Sequence, residues 1–144
     1  MPDLPLPSPA ASCAKDLGGL RIALFSGNYN YVRDGANQAL NRLVGYLQRQ
    51  GAAVRVYSPK VASPAFPSMG KLVGVPSIPF PGRGEYRFPL ALSPRVRRDL
   101  AEFGPQVLHV SSPDLVGHRA VSWARGRNIP VLASVHTRFE TYPR

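Results

Sequence analysis

The sequence predicts an α/β fold, a Rossmann-like parallel sheet with helices on both faces, and three observations support this prediction. Short apolar segments alternate with segments whose apolar residues recur at helical spacing, the order typical of a parallel sheet covered by helices. The first of the apolar segments is short and mostly apolar, as expected of a strand buried on both faces. With 144 residues, 44% of them hydrophobic, the chain can also form one domain with its own core.

The first half of the pattern is a strand, a helix and a second strand. Residues 20–25 (LRIALF) form the first apolar segment, and Asp34 can cap the helix that follows, since its carboxylate can accept from free N–H groups of the first turn. Gly51 stands where a helix often ends, and residues 53–57 (AVRVY) are the second predicted strand. One apolar stripe runs along the helix: Ala36, Leu40, Leu43, Val44 and Leu47.

The middle of the chain is irregular and the last third returns to alternation. Eight prolines between residues 59 and 94 leave only short extended pieces, around 72–75 and 86–88. A short helix begins at Ser93-Pro94, because serine caps well and proline fits the first helical position. The pattern then predicts a strand at 107–110, a helix at 115–127 and a strand at 131–135.

The two ends of the chain differ from this pattern. Four of the first nine residues are proline, so residues 1–18 are predicted to be a disordered leader and residues 19–144 the domain. The sequence stops in the loop after a predicted strand, where a doubly wound domain normally continues. We therefore expect an incomplete domain, either a fragment or a truncation.

The composition limits the classes of partner. Eighteen Lys and Arg against eight acidic residues give a net charge of +10, which attracts nucleotides, anionic lipid surfaces or nucleic acids. The basic residues are dispersed and accompany no nucleic-acid-binding motif, so no nucleic acid is expected. The single cysteine and the absence of a Cys/His cluster predict no metal, and they suit a cytoplasmic protein. No apolar run is long enough to span a membrane, and the N-terminus is not a secretory signal.

Ligands of open α/β sheets bind at the loops beyond the carboxyl ends of the strands. The loop 26–35 contains Gly27 and Gly35 but neither a G-x-G-x-x-G nor a P-loop motif, so it is either a diphosphate site at a helix N-terminus or only a cap and tight turn. His109 lies inside a predicted strand, which favours a core role, and Asp114 is predicted to cap a helix.

The loop after the last predicted strand holds the densest group of functional side chains. His136 follows that strand directly, where an imidazole could donate to a phosphate or a sugar hydroxyl. The alternative is a solvated polar loop, and the residues alone leave both open. The other members of the group are Thr137, Arg138, Glu140 and Tyr142.

Taken together, the sequence resembles the N-terminal half of the retaining glycosyltransferases of family 4, which have the GT-B fold. The likeness covers about residues 20–144 and is most specific in its last two segments, which are similar to the sub-group of α-mannosyltransferases and sulfoquinovosyl-lipid synthases. Four segments carry it: RIALFSGNYNYVRDGANQALNRLVGYLQRQG, AAVRVYSP, PQVLHVSSPDLVGHRAVSWARGRNIP and VLASVHTRFETY.

The resemblance implies roles for individual residues. Gly35 matches the second glycine of the family's donor-diphosphate loop, Asp34 stands where many members have the first, and Gly27 belongs to the same loop. His136 matches a histidine beside the transferred sugar, and is the implied catalytic residue. Four more residues are implied to line the acceptor side: Tyr29, Tyr31, Arg138 and Glu140. The family's donor-binding Arg/Lys pair and its E-x7-E carboxylates belong to the C-terminal domain and have no match here.

The leading hypothesis is thus the acceptor-binding half of a hexosyltransferase, with GDP-mannose as the expected donor and a lipid or saccharide as acceptor, and with no cofactor. This fragment alone is expected to be inactive. The single cysteine suits a cytoplasmic protein, and the positive charge predicts peripheral contact to the inner face of an anionic membrane. The alternative, that the arginine-rich charge reflects only genome base composition, stays open. Two alternatives stay open: a non-catalytic Rossmann-like module that binds a nucleotide or an anion, and a truncation product without function.

Overall fold

The computed structural model describes residues 16–29, 35–112 and 114–135. In chain order these residues form strand β1, helix α1, strands β2 to β5, helix α2, strand β6, helix α3 and strand β7. The helices are α1 (Gly35–Arg49), α2 (Pro94–Phe103) and α3 (Leu115–Arg125). The strands are β1 (Arg21–Phe25), β2 (Ala53–Ser58), β3 (Lys71–Gly74), β4 (Ser77–Phe80), β5 (Arg83–Pro89), β6 (Val107–Val110) and β7 (Val131–Ala133).

Five strands form a parallel sheet in the order β3-β2-β1-β6-β7. β1 is central, with Phe25 in register with Tyr57 of β2 on one side and Val110 of β6 on the other. In chain order, β2 and then β3 extend the sheet on one side of β1. β6 then pairs on the other side of β1, and β7 follows it at the edge. The predicted fold class, a Rossmann-like parallel sheet with helices on both faces, is therefore confirmed.

The two faces of the sheet bury separate cores. Ile22 and Leu24 of β1 face α1, where they pack with Leu40 and Val44. The alternate β1 residues face α2 and α3, and the Phe25 ring stacks on that of Tyr57 at 4.8 Å between centroids. Successive strand residues point to opposite faces, so an apolar run with both faces covered becomes buried throughout.

Helix α2 begins and ends as its sequence predicts. Ser93 Oγ accepts a hydrogen bond from the Val96 amide, Pro94 occupies the first turn, and Gly104 closes the helix in a left-handed conformation with φ of 61°. A polar anchor adds to its apolar packing. Asp99 accepts from Arg55 of β2 at 3.0 Å and from the Tyr57 hydroxyl at 2.9 Å.

The other boundaries shift by a few residues. Leu43, predicted on the buried stripe of α1, is 39% exposed, whereas Asn37 of α1 is buried. Leu17 and Gly19 donate to the backbone at the end of α1, and Leu17 packs on its core, so residues 16–18 of the predicted leader contact the domain. Residues 1–15 lie outside the described residues.

The irregular middle of the chain contains a β-hairpin, where the sequence predicted only short extended pieces. β4 and β5 pair with each other in an antiparallel hairpin outside the main sheet. Ile78 lies opposite Phe88, and the Leu90 amide donates to the Pro76 carbonyl at the base of the hairpin. The hairpin begins just beyond the carboxyl end of β3.

Candidate functional site

The point where the strand order reverses lies between β1 and β6. The chain leaves β1 toward β2 and leaves β6 toward β7, so the loops after these neighbouring strands diverge. Divergence of this kind opens a crevice beyond the carboxyl ends of the two strands, the usual ligand site of an open α/β sheet. The described loop residues at this edge are 26–29 and Ser111, Ser112 and Asp114.

Serines fasten the two loops to each other. The Gly27 amide donates to Ser112 Oγ at 2.9 Å, and both the amide and the hydroxyl of Ser111 donate to the Phe25 carbonyl, at 3.0 and 3.1 Å. A Cβ added to Gly27 would lie 2.6 Å from Asp114 Oδ2. Gly27 therefore serves close contact between the two loops, while its predicted role in diphosphate binding stays a prediction.

Asp114 caps α3, as its sequence position predicts. Its Oδ1 accepts from the Gly117 amide at 2.7 Å. Burial raises the pKa of the Asp114 carboxyl, and the hydrogen bonds from the Gly117 and Val116 amides offset only part of that rise. The crevice thus contains a buried carboxyl group that already accepts from backbone amides.

His109 connects β6 with the residue that follows β7. The side chain is 6% exposed, and its Nε2 shares a 2.8 Å hydrogen bond with Ser134 Oγ. The core role that the strand position predicted for His109 is confirmed. Because the Ser134 amide also donates to the Val110 carbonyl, the chain leaving β7 is fixed from two sides just before Val135 and His136.

Tyr29 lies in the core. Its hydroxyl donates to Asn41 Oδ1 at 2.7 Å and to the Met69 carbonyl at 3.1 Å. Asn41 Oδ1 also accepts from the Met69 amide. Burial raises the pKa of the Tyr29 phenol. In this structure Tyr29 braces the loop after β1 against α1 and the segment before β3, and its acceptor role stays a prediction.

Gly35 is the first residue of α1 and is exposed. Among the described residues, nothing lies within 4 Å of a Cβ built at this position. The described residues thus leave space around Gly35, in contrast to Gly27. A helix N-terminus is a position that suits an anion.

The remaining predicted site residues, Asp34, Tyr31, His136, Arg138 and Glu140, lie outside the described residues. The structure brings Gly27 and Gly35 to the same edge of the sheet as Ser134. The contacts of the serines at this edge, Ser111, Ser112 and Ser134, were not predicted. Their signal was the position of Ser111 and Ser134 directly after β6 and β7, where a polar side chain can bond to a neighbouring strand or loop.

The described part of the chain contains no candidate metal cluster and no candidate membrane-spanning helix. No group of three His, Cys, Asp or Glu side chains there could hold a metal ion. None of the helices in that part is both long and apolar enough to cross a bilayer.

Comparison with known proteins decides the family. Residues 33–144 match the model of Glycosyltransferase Family 4, and the match includes most of the described domain. The chain belongs to glycosyltransferase family 4.

Two curated relatives cover nearly the same part of this family 4 chain. It is 32% identical over 124 residues to "Sulfoquinovosyl transferase SQD2" of Arabidopsis thaliana, covering 85% of this chain and 24% of that protein. It is 24% identical over 123 residues to "Alpha-monoglucosyldiacylglycerol synthase" of Streptococcus pneumoniae, covering 85% of this chain and 28% of that protein. The chain thus spans about a quarter of the length of these relatives.

Proposed function

We propose that this family 4 chain is the acceptor-side domain of a retaining GT-B glycosyltransferase that moves a hexose from a nucleotide sugar to a lipid acceptor. The family match over residues 33–144 carries the proposal. The crevice between β1 and β6 supports it, because it lies where this architecture binds ligands.

In the proposed enzyme, the start of α1 faces the donor diphosphate. Gly35 is exposed and no described residue lies within 4 Å of a Cβ built on it, so the backbone could approach an anion closely, with the positive end of the helix dipole directed at it. Asp34 would stand beside it. Gly27 would support this loop through its contact with Ser112.

His136 is the proposed catalytic residue. It follows Ser134 by two positions, and Ser134 is fixed to β6 through His109 and the Val110 carbonyl. A hydrogen-bond donor held at that edge could stabilise charge that develops on the departing diphosphate. Three further residues are proposed to face the acceptor: Tyr31, Arg138 and Glu140. Tyr29 would support that surface from beneath.

The name of one relative states a diacylglycerol product, which favours a lipid over a saccharide acceptor. The two names specify glucosyl and sulfoquinovosyl groups, so GDP-mannose competes with donors of those sugars in our proposal. We propose no cofactor, and a cytoplasmic enzyme with peripheral contact to the anionic inner face of a membrane. The 144-residue chain alone would be inactive, because it has no match to the family's donor-binding Arg/Lys pair.

The test compares the 144-residue chain with the product of the reading frame continued past Arg144. Each is offered GDP-mannose, UDP-glucose and UDP-sulfoquinovose with diacylglycerol in mixed micelles, and product anomers are assigned by NMR. We expect transfer with retention from the longer product and none from the chain alone. Turnover by the chain alone, or inversion, would contradict the proposal, as would a frame that encodes no second α/β domain with E-x7-E.

His136→Ala in the longer product tests the proposed site, with His118→Ala on the exposed side of α3 as the matched control. Loss of one hydrogen-bond donor that stabilises developing charge lowers turnover by about a hundred- to a thousand-fold. We expect that loss in His136→Ala with an unchanged melting temperature, and near-normal turnover in His118→Ala. An activity loss that merely follows unfolding would assign His136 a structural role.

A further inference from the structure

We propose that His109 is a positioning residue for the transfer reaction: through Ser134 it fixes the path of the chain that leads from β7 to His136. The inference rests on the proposed function for the role of His136, and it assigns a part in the reaction to a buried strand residue. The described residues that carry it are His109 and Val110 of β6, and Ser134, which directly follows β7.

The His109 side chain is a polar group among apolar neighbours. It is 6% exposed, and the other three residues of β6 are apolar. In the sheet register, its partners are Leu24 of β1 on one side and Leu132 of β7 on the other. Burial of an imidazole has a desolvation cost that an apolar side chain would not have, so packing alone favours an apolar residue here. The histidine therefore indicates a role other than core packing.

The polar partner of His109 lies at the end of the neighbouring strand. His109 Nε2 shares a 2.8 Å hydrogen bond with Ser134 Oγ, and the Ser134 amide donates to the Val110 carbonyl at 3.0 Å. Ser134 is thus held by a side-chain bond and a backbone bond, both to consecutive residues of β6. Because hydrogen bonds are directional, two of them fix the orientation of the residue as well as its position.

Strand β7 gives this part of the chain little support from packing. The strand has three residues, all exposed, and within the described sheet it pairs with β6 alone. Leu132 is 57% exposed and Val135 is 80% exposed, so the described residues bury little apolar surface on either side of Ser134. The bond from His109 therefore adds a side-chain link where apolar packing contributes little.

A link at Ser134 acts on His136 through a very short piece of chain. His136 follows Ser134 by two residues, which span at most about 7 Å. A misplacement of about 1 Å that arises away from the chemistry can lower the rate of an enzyme about a hundredfold. Loss of the bond between His109 and Ser134 should therefore affect turnover more strongly than it affects folding.

The same strand, β6, also holds the other side of the crevice. The amide and the hydroxyl of Ser111 donate to the Phe25 carbonyl, and Ser112 Oγ accepts from the Gly27 amide. The loop after β1 and the chain after β7 are thus fixed to one common strand. Fixing both sides of a site to one rigid element is how a fold preorganises reacting groups.

The first measurement is amide hydrogen exchange of the 144-residue chain, followed by NMR. His109→Phe keeps a planar ring but removes the bond to Ser134, and Ser134→Ala removes the same bond from the other side. Each variant should speed exchange of the Ser134 amide about fivefold, the usual contribution of one hydrogen bond, and leave the β1 amides unchanged. His109→Gln and Ser134→Thr keep a polar partner, so both should retain slow exchange.

The matched controls change the same residue types outside the site. His118→Phe replaces an exposed histidine of α3, and Ser122→Ala removes a hydroxyl that donates to the His118 carbonyl at 3.2 Å. Neither control should alter exchange at Ser134. Melting temperatures establish that each variant is folded, and Ser134→Ala provides the test by itself if His109→Phe does not fold.

The second measurement is a double-mutant cycle on turnover in the longer product. His109→Phe should lower kcat by about ten- to a hundredfold where His136 is present, and by less than about threefold in the His136→Ala background. A residue that serves only the core would lower kcat by the same factor in both backgrounds. His109→Gln should regain most of the lost turnover, and His118→Phe should leave kcat near normal.

Unchanged exchange at Ser134 in both test variants would overturn the inference, as would equal losses of kcat in the two backgrounds. Exchange that accelerates equally in β1 would assign His109 to the core alone, with the same consequence. If the longer product transfers no sugar, the proposed function fails, whereas the exchange measurement still decides whether His109 fixes the chain after β7. Conversely, transfer activity that His109→Phe leaves intact would refute the inference and not the proposed function.

Discussion

Strands β1 and β7 have similar apolar sequences but opposite environments. β1 pairs with β2 and β6, and its last four residues are buried between α1 on one face and α2 with α3 on the other. β7 pairs with β6 at the edge of the described sheet, and all three of its residues are exposed. An apolar segment thus predicts that a strand forms, whereas its neighbours decide how much that strand stabilises the fold.

The contrast has an energetic consequence. Side chains of β1 contribute their full transfer free energy, because helices cover both faces. Leu132 of β7 remains 57% exposed and Val131 37% exposed, so most of their apolar surface still contacts water. We therefore place most of the stability of the described domain in the centre of the sheet.

The largest expected effect compares Leu24→Ala in β1 with Leu132→Ala in β7. Leu24 is 2% exposed and packs against α1, so its truncation leaves a cavity and should cost about 3 kcal/mol of unfolding free energy. The same change at Leu132 should cost less than about 1 kcal/mol, because little buried surface is lost. Urea titration of both variants measures the difference. Equal costs would mean that the β7 side chain is buried in solution.

The second prediction extends the contrast from strands to α3, the helix beside β6. A Cβ on Gly117 would lie 2.6 Å from the Ser112 carbonyl oxygen and 2.9 Å from Val110 Cγ1, both parts of the crevice floor. Gly117→Ala should therefore cost about 2 kcal/mol, since backbone must shift to admit the methyl group. Thermal unfolding measures the loss.

Gly126→Ala is the matched control on the same helix. Gly126 has φ of −62°, and a Cβ there would meet its nearest atom at 3.6 Å, so alanine should be neutral or slightly stabilising. A Gly117→Ala protein as stable as Gly126→Ala would show that the loop after β6 yields easily. The close contact between α3 and the loop after β6 would then not restrict position 117 to glycine.

Much of the fold could be predicted from the sequence because local signals agreed with one another. Mostly apolar runs identified β1, β2 and β6, and Ser93-Pro94 located the start of α2 correctly. The β4–β5 hairpin escaped prediction because its prolines oppose regular strands, while its turn positions, Pro81-Gly82, permit one. Leu43 was placed in the core because helical spacing marks an apolar stripe but not its width.

The site was less predictable than the fold. Loop glycines could be found by their place after β1, but only three-dimensional contacts separate Gly27, packed against Asp114, from Gly35, which no described residue approaches. Tyr29 has the same ambiguity: an aromatic residue in a ligand loop fits both a binding surface and a brace. Its partners Asn41 and Met69 are distant in sequence, so no local pattern could identify them.

The last prediction tests the buried centre by pH, and its effect near neutral pH is the smallest of the series. Tyr29 and Tyr57 are fully buried, one after β1 and one on β2, and burial raises the pKa of both phenols above the ordinary value of 10.0. The unfolded chain therefore releases these protons near pH 10 while the folded chain retains them. Both tyrosines contribute their full amount to the free energy of unfolding below that pH. Above it, the contribution of each tyrosine falls by about 1.4 kcal/mol per pH unit.

Tyr57→Phe isolates one of the two contributions. The variant should lose about 1 kcal/mol near neutral pH, where the Tyr57 hydroxyl donates to Asp99, because Asp99 retains its partner Arg55. Above pH 10 its stability should fall less steeply than that of the unsubstituted protein, by about 1.4 kcal/mol per pH unit. Urea titrations at a series of alkaline pH values measure both slopes. Parallel slopes would mean that Tyr57 ionises in the folded state, so that the sheet centre admits water as the β7 edge does.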